Sequence, residues 1–478
     1  MDDFYEKLAL HVDKIVIPGG SDKIHKDECV FSFDTPESEG GLYVCLNTFL
    51  GFAKRHVERH YAKTGNAVYL HLKTVNVQTN FWLQEQTEVS DQGKKKYEDH
   101  RSLVILPDFD AIPLPDRALP QAVQLSIAAV LSADSATVIA EREALERTSQ
   151  EAYAVSWYSE WLEQLDNGVQ VPSKGWKCEQ CGAVENLWMN LTDGSILCAQ
   201  KTSCDSDHLT DHYHRTGYPL AVRLGTITPN SADVYSFIEE QMVIDTNLAK
   251  HLRHFGIDMA NMQKTEKTAL ELHNEASNEN EAAMIQAEFG QGLERPSGPG
   301  YTGLTNLGNS CYMNAIIQVI MSIPDFKKKY YDAADQVFDN APSDPAENFT
   351  VQMTKVAVGI ISGEYSRRPP AEGDNCSDKL KVRCSIKPLM FKALIAKNNP
   401  EYLPMQQQDA LEFLLCLLDL VEKNCKGSTD PTDCFKFEVE ECIQCTESGK
   451  VCYTNHTDLL LSLPVPLESA LNAVKIVW

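Results

Sequence analysis

Positive charge is scarce in this 478-residue sequence: 43 Lys and Arg face 68 Asp and Glu, leaving a net charge of -25. Such a chain repels nucleic acid and anionic membrane, so neither is an expected partner and basic partners are favoured. Acidity of this kind also serves plain solubility. No secretion signal opens the chain, since "MDDFYEKLAL" begins with acids and has no apolar core. The most apolar run, "ALEFLLCLLDLV" (410–421), is too short and too charged to span a bilayer. Histidine is thin where it matters: of 13, only His456 follows Cys311. Fifteen cysteines without a secretion signal read as reduced thiols of a cytoplasmic protein, some of them metal ligands. A monomer is expected.

What is present is ordinary in amount, with 43% hydrophobic and 23% charged residues, and long enough for about three domains. Residues 1–165 form a first region. A helix is predicted over 46–62, and "NAVYLHLKTV" (66–75) alternates like a half-buried strand. "SIAAVLSADSATVIAEREALERTSQEAYAV" (126–155) is Ala- and Glu-rich and helical in character. A second region, 172–262, holds the densest Cys/His cluster. Residues 263–298, with "NEASNENEAA" and "ERPSGPG", read as an acidic, Pro/Gly-broken linker. Residues 299–478 form the third region, and the whole reads as α+β.

The second region supplies Cys178, Cys181, Cys198, Cys204, His208, His212 and His214. Cys178 and Cys181 form a C-x-x-C knuckle whose thiolates can face one ion. A third thiolate and an imidazole would close a tetrahedral, structural zinc shell. On spacing alone His208 leads as fourth ligand, with His212 and Cys204 as alternatives.

In the third region, Met313, Ile316, Ile317 and Ile320 recur at helical spacing behind Cys311, and "NLGNS" supplies loop and cap residues before it. A cysteine at a helix N-terminus has its thiolate stabilised by the dipole, which is what a thiol nucleophile needs. Asp409 and Glu412 lie one turn apart on a helix that begins near 410 and can face one ligand.

These motifs carry a resemblance. "ENLWMNLTDGSILC", "GYPLAVRLGTITP", "ADVYSF" and "HFGIDM" are similar to the ubiquitin-binding zinc finger of ubiquitin-specific proteases of the isopeptidase T type. The likeness implies Cys178, Cys181, Cys198 and His208 as ligands of one structural Zn2+, and Trp188 and Tyr235 lining a pocket for ubiquitin's C-terminal tail. The chain departs from the family where Gln200 replaces an Arg and Thr202 an aromatic. "HKDECVFSFDTPESEGGLYVCLNTFLGF" resembles that family's degenerate first finger; with only Cys29 and Cys45 there, no zinc is expected, and its implied role is to pack against the catalytic part.

"YTGLTNLGNSCYMNAIIQVI" and "MQQQDALEFLLCLLDLVEKN" resemble the Cys box and Gln box of the same proteases. That implies a partial papain-like domain after two finger-like α/β domains. Cys311 would be the nucleophile and Asn306 the oxyanion-stabilising amide, and Asp409 and Glu412 would hold ubiquitin's basic tail. The implied activity is thiol-dependent hydrolysis of isopeptide bonds in unanchored polyubiquitin. The family's catalytic histidine sits in a Gly-His-Tyr setting that this sequence lacks; His456, in "KVCYTNHTDLLLSLPVP", matches a non-catalytic segment. The likeness runs through "LPVPLESALN" and stops before "AVKIVW", so a C-terminally truncated enzyme is expected. The alternative is a catalytically inactive fragment that binds ubiquitin or another partner. Cys442 and Cys445 read either as two thiols or as half a zinc site.

Overall fold

A computed structural model describes residues 2–77, 96–199, 207–262, 264–269, 272, 296–366, 385–425, 429–461 and 463. Most of the expected linker, together with Gln200, Thr202 and Cys204, lies outside them.

The first unit is a five-stranded antiparallel sheet in the order β2-β1-β3-β4-β5. Its strands are β1 (Leu42–Cys45), β2 (Gly51–Phe52), β3 (Val68–Val77), β4 (Lys96–Ile105) and β5 (Asp110–Pro113). The terminal helix α1 (Asp2–Ala9) and helix α2 (Lys54–Thr64) accompany them. The helix predicted over 46–62 is corrected: it starts only at Lys54, behind a β-turn. Phe49 sits at φ 57, and a Cβ on Gly51 would meet the His25 carbonyl at 2.2 Å, so the chain must turn sharply where an amphipathic pattern continued. Gly65, at φ 67, caps α2 with its N–H on the Tyr61 carbonyl.

The helical stretch expected over 126–155 becomes two helices, α3 (Gln121–Ser132) and α4 (Ala136–Ala152). By length and composition, residues 121–144 pass as a membrane-spanning stretch. The break at 133–135 divides them, and Val123, Ile127 and Val130 of α3 are buried in the core of the first unit.

The second unit is a six-stranded sheet in the order β6-β11-β10-β9-β7-β8. It comprises β6 (Ala154–Val155), β7 (Leu187–Asn190), β8 (Ile196–Cys198), β9 (Leu220–Arg223), β10 (Val234–Ser236) and β11 (Gln241–Ile244). Helices α5 (His208–Thr216) and α6 (Leu248–His254) complete it. Leu187, Met189, Val222 and Val234 line the core face.

The third unit is mainly helical: α7 (Cys311–Ser322), α8 (Phe349–Ile361), α9 (Leu389–Asn398) and α10 (Ala410–Asn424). A two-residue parallel pair, β12 (Gly303–Leu304) with β13 (Ser385–Ile386), flanks the start of α7. An exposed hairpin, β14 (Phe437–Gln444) with β15 (Val451–Asp458), follows.

Helix α8 is apolar almost all round, a pattern a helix can sustain only when covered on every side. The first unit provides much of that cover. Val351 belongs to the core of the first unit, while Phe33 of the first unit is buried in the core of the third. A Cβ on Gly359 would meet the Phe33 ring at 2.6 Å, so the bare backbone is what lets the aromatic in. The Phe33 N–H donates to the Tyr365 hydroxyl at 3.0 Å, and Gln352 Nε2 donates to the Val30 carbonyl at 3.1 Å. Lys355, 1% exposed, donates to Glu28 and to the Cys29 carbonyl at 2.8 Å, and lies 4.7 Å from the centre of the Phe33 ring. At the rim, Arg55 makes a fork on Glu364 at 2.7 and 2.6 Å. The expectation that the first unit packs against the catalytic part therefore matches the structure.

Two tests follow from this joint. Glu28→Ala leaves a buried ammonium without its counter-ion and should destabilise the chain by about 3–5 kcal/mol in chemical denaturation, whereas Lys355→Met should cost less. The second test uses pH. Burial, aided by Arg55 and Arg59, pushes His56 down to about 3, and burial lowers His25 and His60 to about 4. The unfolded chain, titrating near 6.5, takes up these protons first. The stabilisation is thus complete above about pH 6.5 and is lost as pH falls toward the folded values, by about 1.4 kcal/mol per pH unit per histidine. Thermal unfolding between pH 7.5 and 5.0 should show this loss, and His56→Phe should shrink it.

Candidate active site and zinc centre

Cys178, Cys181, Cys198 and His208 converge. All four donor atoms lie within 4.8 Å of one another. Cys181 Sγ is 3.6 Å from Cys198 Sγ, and His208 Nδ1 is 3.5 Å from Cys178 Sγ and 3.3 Å from Cys198 Sγ. A tetrahedral zinc with Zn–S near 2.3 Å has ligand edges of about 3.8 Å, so the set fits that ion. Burial first, then the adjoining Cys181 and Cys178, pushes the Cys198 thiol up to about 12.

Local structure explains the convergence. The knuckle is a turn in which Gly182 N–H donates to the Cys178 carbonyl, Cys198 ends β8, and His208 is the first residue of α5. Asp207 caps that helix through Thr210 N–H at 3.1 Å. The alternative ligand His212 is committed elsewhere: it is buried, with Nε2 2.9 Å from Asp193 Oδ2. Cys29 and Cys45 are fully buried in the first core, and burial raises both thiols.

Trp188 stands across from Arg223 on β9, and Tyr235 across from Ala221, which is buried in the finger's core. The side-chain alternation of strands puts all four on one face. Trp188 Nε1 donates to Asn186 Oδ1 at 3.2 Å, and Tyr235 meets Phe237 edge-on at 5.1 Å. Sequence reasoning named both aromatics but missed Arg223, although "AVRLG" places a lone cation in an apolar strand.

Cys311 is exposed and is the first residue of α7. The buried face of this helix carries Met313, Ile317 and Ile320 as its periodicity predicts, with Ile316 only partly covered. The loop before it is braced from several directions. Asn306 Oδ1 accepts from Ser310 N–H at 2.8 Å and from Ser310 Oγ at 3.2 Å. Ser310 therefore does not cap α7 with its side chain as expected; its hydroxyl accepts instead from Leu307 N–H at 2.8 Å. Asn309, at φ 53, donates to the Met405 carbonyl at 3.0 Å, and Gly308, at φ 84, packs where a Cβ would meet Met405 at 2.8 Å. Asn314 ties α7 back to the Leu304 carbonyl at 3.3 Å.

With Oδ1 so engaged, the Asn306 amide has its NH2 end unbonded among the described residues. A donor held in that way can serve an oxyanion without reorganising. Burial, then the neighbouring Cys311, pushes the Tyr312 phenol up to about 12, which keeps it neutral beside the thiol.

Asp409 is the N-cap of α10, its Oδ1 accepting from Leu411 and Glu412 N–H at 2.6 and 3.3 Å. It and Glu412 are both exposed, one turn apart. His456 lies on the exposed hairpin opposite Val439, and among the described residues no histidine hydrogen-bonds Cys311. Cys442 and Cys445 are exposed on the same hairpin.

Four converging Cys/His donors in the second unit are followed along the chain by an exposed thiol at a helix start in the third. Three family profiles match along the chain. Residues 15–78 match the variant UBP zinc finger, 178–248 the Zn-finger in ubiquitin-hydrolases and other proteins, and 302–472 the ubiquitin carboxyl-terminal hydrolase domain. The chain is 46% identical to human ubiquitin carboxyl-terminal hydrolase 5 over 98% of its length, covering 57% of that protein. It is 44% identical to human ubiquitin carboxyl-terminal hydrolase 13 over 99% of its length, again 57% of the relative. It thus spans little more than half the length of these relatives. Among solved structures, the SAGA Ubp8/Sgf11/Sus1/Sgf73 DUB module bound to ubiquitin aldehyde aligns with a TM-score of 0.26 and 15% identity, over 66% of this chain and 60% of that one. Residues 302–472 thus match the model of the ubiquitin carboxyl-terminal hydrolase domain, and the finger matches the zinc-binding kind.

Because metal and fold are coupled in such a site, Cys181→Ser should lower bound zinc and destabilise the finger while leaving the first unit folded. Metal analysis beside amide hydrogen exchange of residues 178–248 reads both effects.

Proposed function

We propose that this chain carries the nucleophile, the oxyanion amide and the ubiquitin-recruiting finger of a cysteine deubiquitinase that hydrolyses isopeptide bonds in unanchored polyubiquitin. The observation that carries the reading is the exposed Cys311 at the start of α7, immediately after Ser310, whose N–H and hydroxyl hold the Asn306 amide. In this reaction the Cys311 thiolate attacks the carbonyl carbon of the C-terminal glycine of ubiquitin. The carbonyl oxygen takes the negative charge and Asn306 Nδ2 donates to it. The bond to the lysine nitrogen then breaks, and the amine leaves after taking a proton. Water later cleaves the thioester and frees the thiol. The group that accepts and returns the proton is not found among the described residues at Cys311.

One structural zinc ion, held by Cys178, Cys181, Cys198 and His208, would shape the finger. Trp188 and Tyr235 would receive the ubiquitin tail on the sheet face they share with Arg223. Asp409 and Glu412, exposed at the start of α10, would attract ubiquitin's basic tail. Asp409 can do so with Oδ2, because capping uses Oδ1.

An electrophilic ubiquitin probe, ubiquitin carrying a thiol-reactive group in place of its C-terminal carboxylate, tests this. The intact chain should be labelled at Cys311, and Cys311→Ala should abolish labelling. Asn306→Ala should slow labelling or turnover by about 10²–10³-fold if an oxyanion develops. Labelling that persists in Cys311→Ala overturns the assignment of the nucleophile. No labelling of the intact chain would make it a ubiquitin-binding module.

A further inference from the structure

The start of the segment after the finger folds back onto the aromatic face. Glu266 brings a carboxylate to Arg223: Oε2 accepts from Arg223 Nε at 3.0 Å, and Oε1 accepts from the Asn186 backbone N–H at 3.2 Å. Arg223 stands directly across β7–β9 from Trp188, and Asn186 also holds the Trp188 indole. The segment is pinned on both sides of this contact. Thr265 and Glu266 N–H donate to the Gly225 carbonyl at 2.8 and 2.9 Å, and Ala269 N–H donates to Asp233 Oδ2 at 2.7 Å. Gly225 has no room for a side chain, since a Cβ there would meet the Glu266 side chain at 2.5 Å.

The pieces surrounding Glu266 are those that would receive a carboxylate from outside. One largely buried guanidinium and one backbone N–H converge on two oxygens, across the strand pair from an indole. Arg223 is 13% exposed and its partner carboxylate 25%. A cation with so little water needs an anion there at all times, whether its own or a ligand's.

We propose that this is a carboxylate-binding site for the free C-terminus of a peptide, with Arg223 as its anchoring cation, and that Glu266 occupies it in cis as a competing plug. The inference rests on reading this face as the receiver of the ubiquitin tail. It supplies the cation that Gln200 does not, and makes opening of residues 264–269 a condition of tight binding. A ligand reaching Arg223 displaces Glu266 to solvent; the exchange breaks no covalent bond.

The test is titration of the intact chain with a fluorescent peptide ending in Arg-Gly-Gly with a free carboxylate, read by anisotropy, beside the same peptide ending in an amide. Glu266→Gln removes the competing charge but keeps the shape, and should bind the free acid about tenfold tighter than the parent, the size of one charge-assisted hydrogen bond. Ala269→Pro, which loses the N–H that pins the segment to Asp233, should also tighten binding. Adding Arg223→Gln to Glu266→Gln should cancel the gain, and the amide peptide should bind weakly throughout. Zinc content of each variant reports that the finger is intact. Unchanged or weaker binding by both loosened variants, or equal binding of acid and amide, overturns the proposal. This holds whatever the ubiquitin probe does at Cys311, because the peptide reads the finger and the probe reads the thiol.

Discussion

The arrangement depends on one buried ammonium. Lys355 sits in the middle of a mostly apolar, buried helix, and the groups that satisfy it, Glu28 and the Cys29 carbonyl, come from the first unit. An unpaired charge in that position would be very costly, so the third unit holds its observed packing only with residues 28–33 in place. Helix α8 in turn packs against α7 and α10, and these carry Cys311 and Asp409. The first unit is therefore a structural part of the third unit's packing rather than an appendage to it, and its Cys29 and Cys45 serve as apolar core residues.

This dependence explains which features could be read in advance. The convergence of the four Cys/His donors was legible because the knuckle, the third thiol and the histidine are chemically distinctive at short spacing. The helix start at Cys311 was legible because its loop residues and helix face are local. The helix over 46–62 was misjudged because an amphipathic pattern says nothing of a carbonyl elsewhere that leaves no room at Gly51. The Lys355–Glu28 pair joins residues 327 apart in sequence, and no local pattern encodes such a partner. A signal existed all the same: a lone lysine within "FTVQMTKVAVGII" cannot be buried without an anion, and this could have flagged a missing partner. Arg223 and Glu266 escaped for the same reason, and because Glu266 fell in a stretch read as linker.

The finger shows how one residue type can serve two ends. Asp193 holds His212, a candidate ligand on composition, away from the metal cluster, so the four donors that remain have no rival among the described histidines. Asp207 caps the helix whose first residue is the fourth ligand. The carboxylates near the site thus fix helix position and ring placement rather than bind metal. Glu266 differs in holding no element of the finger's core. It neutralises Arg223, where a ligand would compete for the same bonds.

At Cys311 the preorganised loop and any base are separable. Residues 302–314 and Met405 brace the loop before Cys311 by themselves: Ser310 orients Asn306, Asn309 and Gly308 lock the loop to Met405, and Asn314 ties the helix to β12. None of these contacts involves a histidine, so the loop stands whether or not a base is present. Electrostatic stabilisation and proton transfer contribute separately to an acyl-transfer barrier, so an amide held in this way keeps its geometry independently of any base.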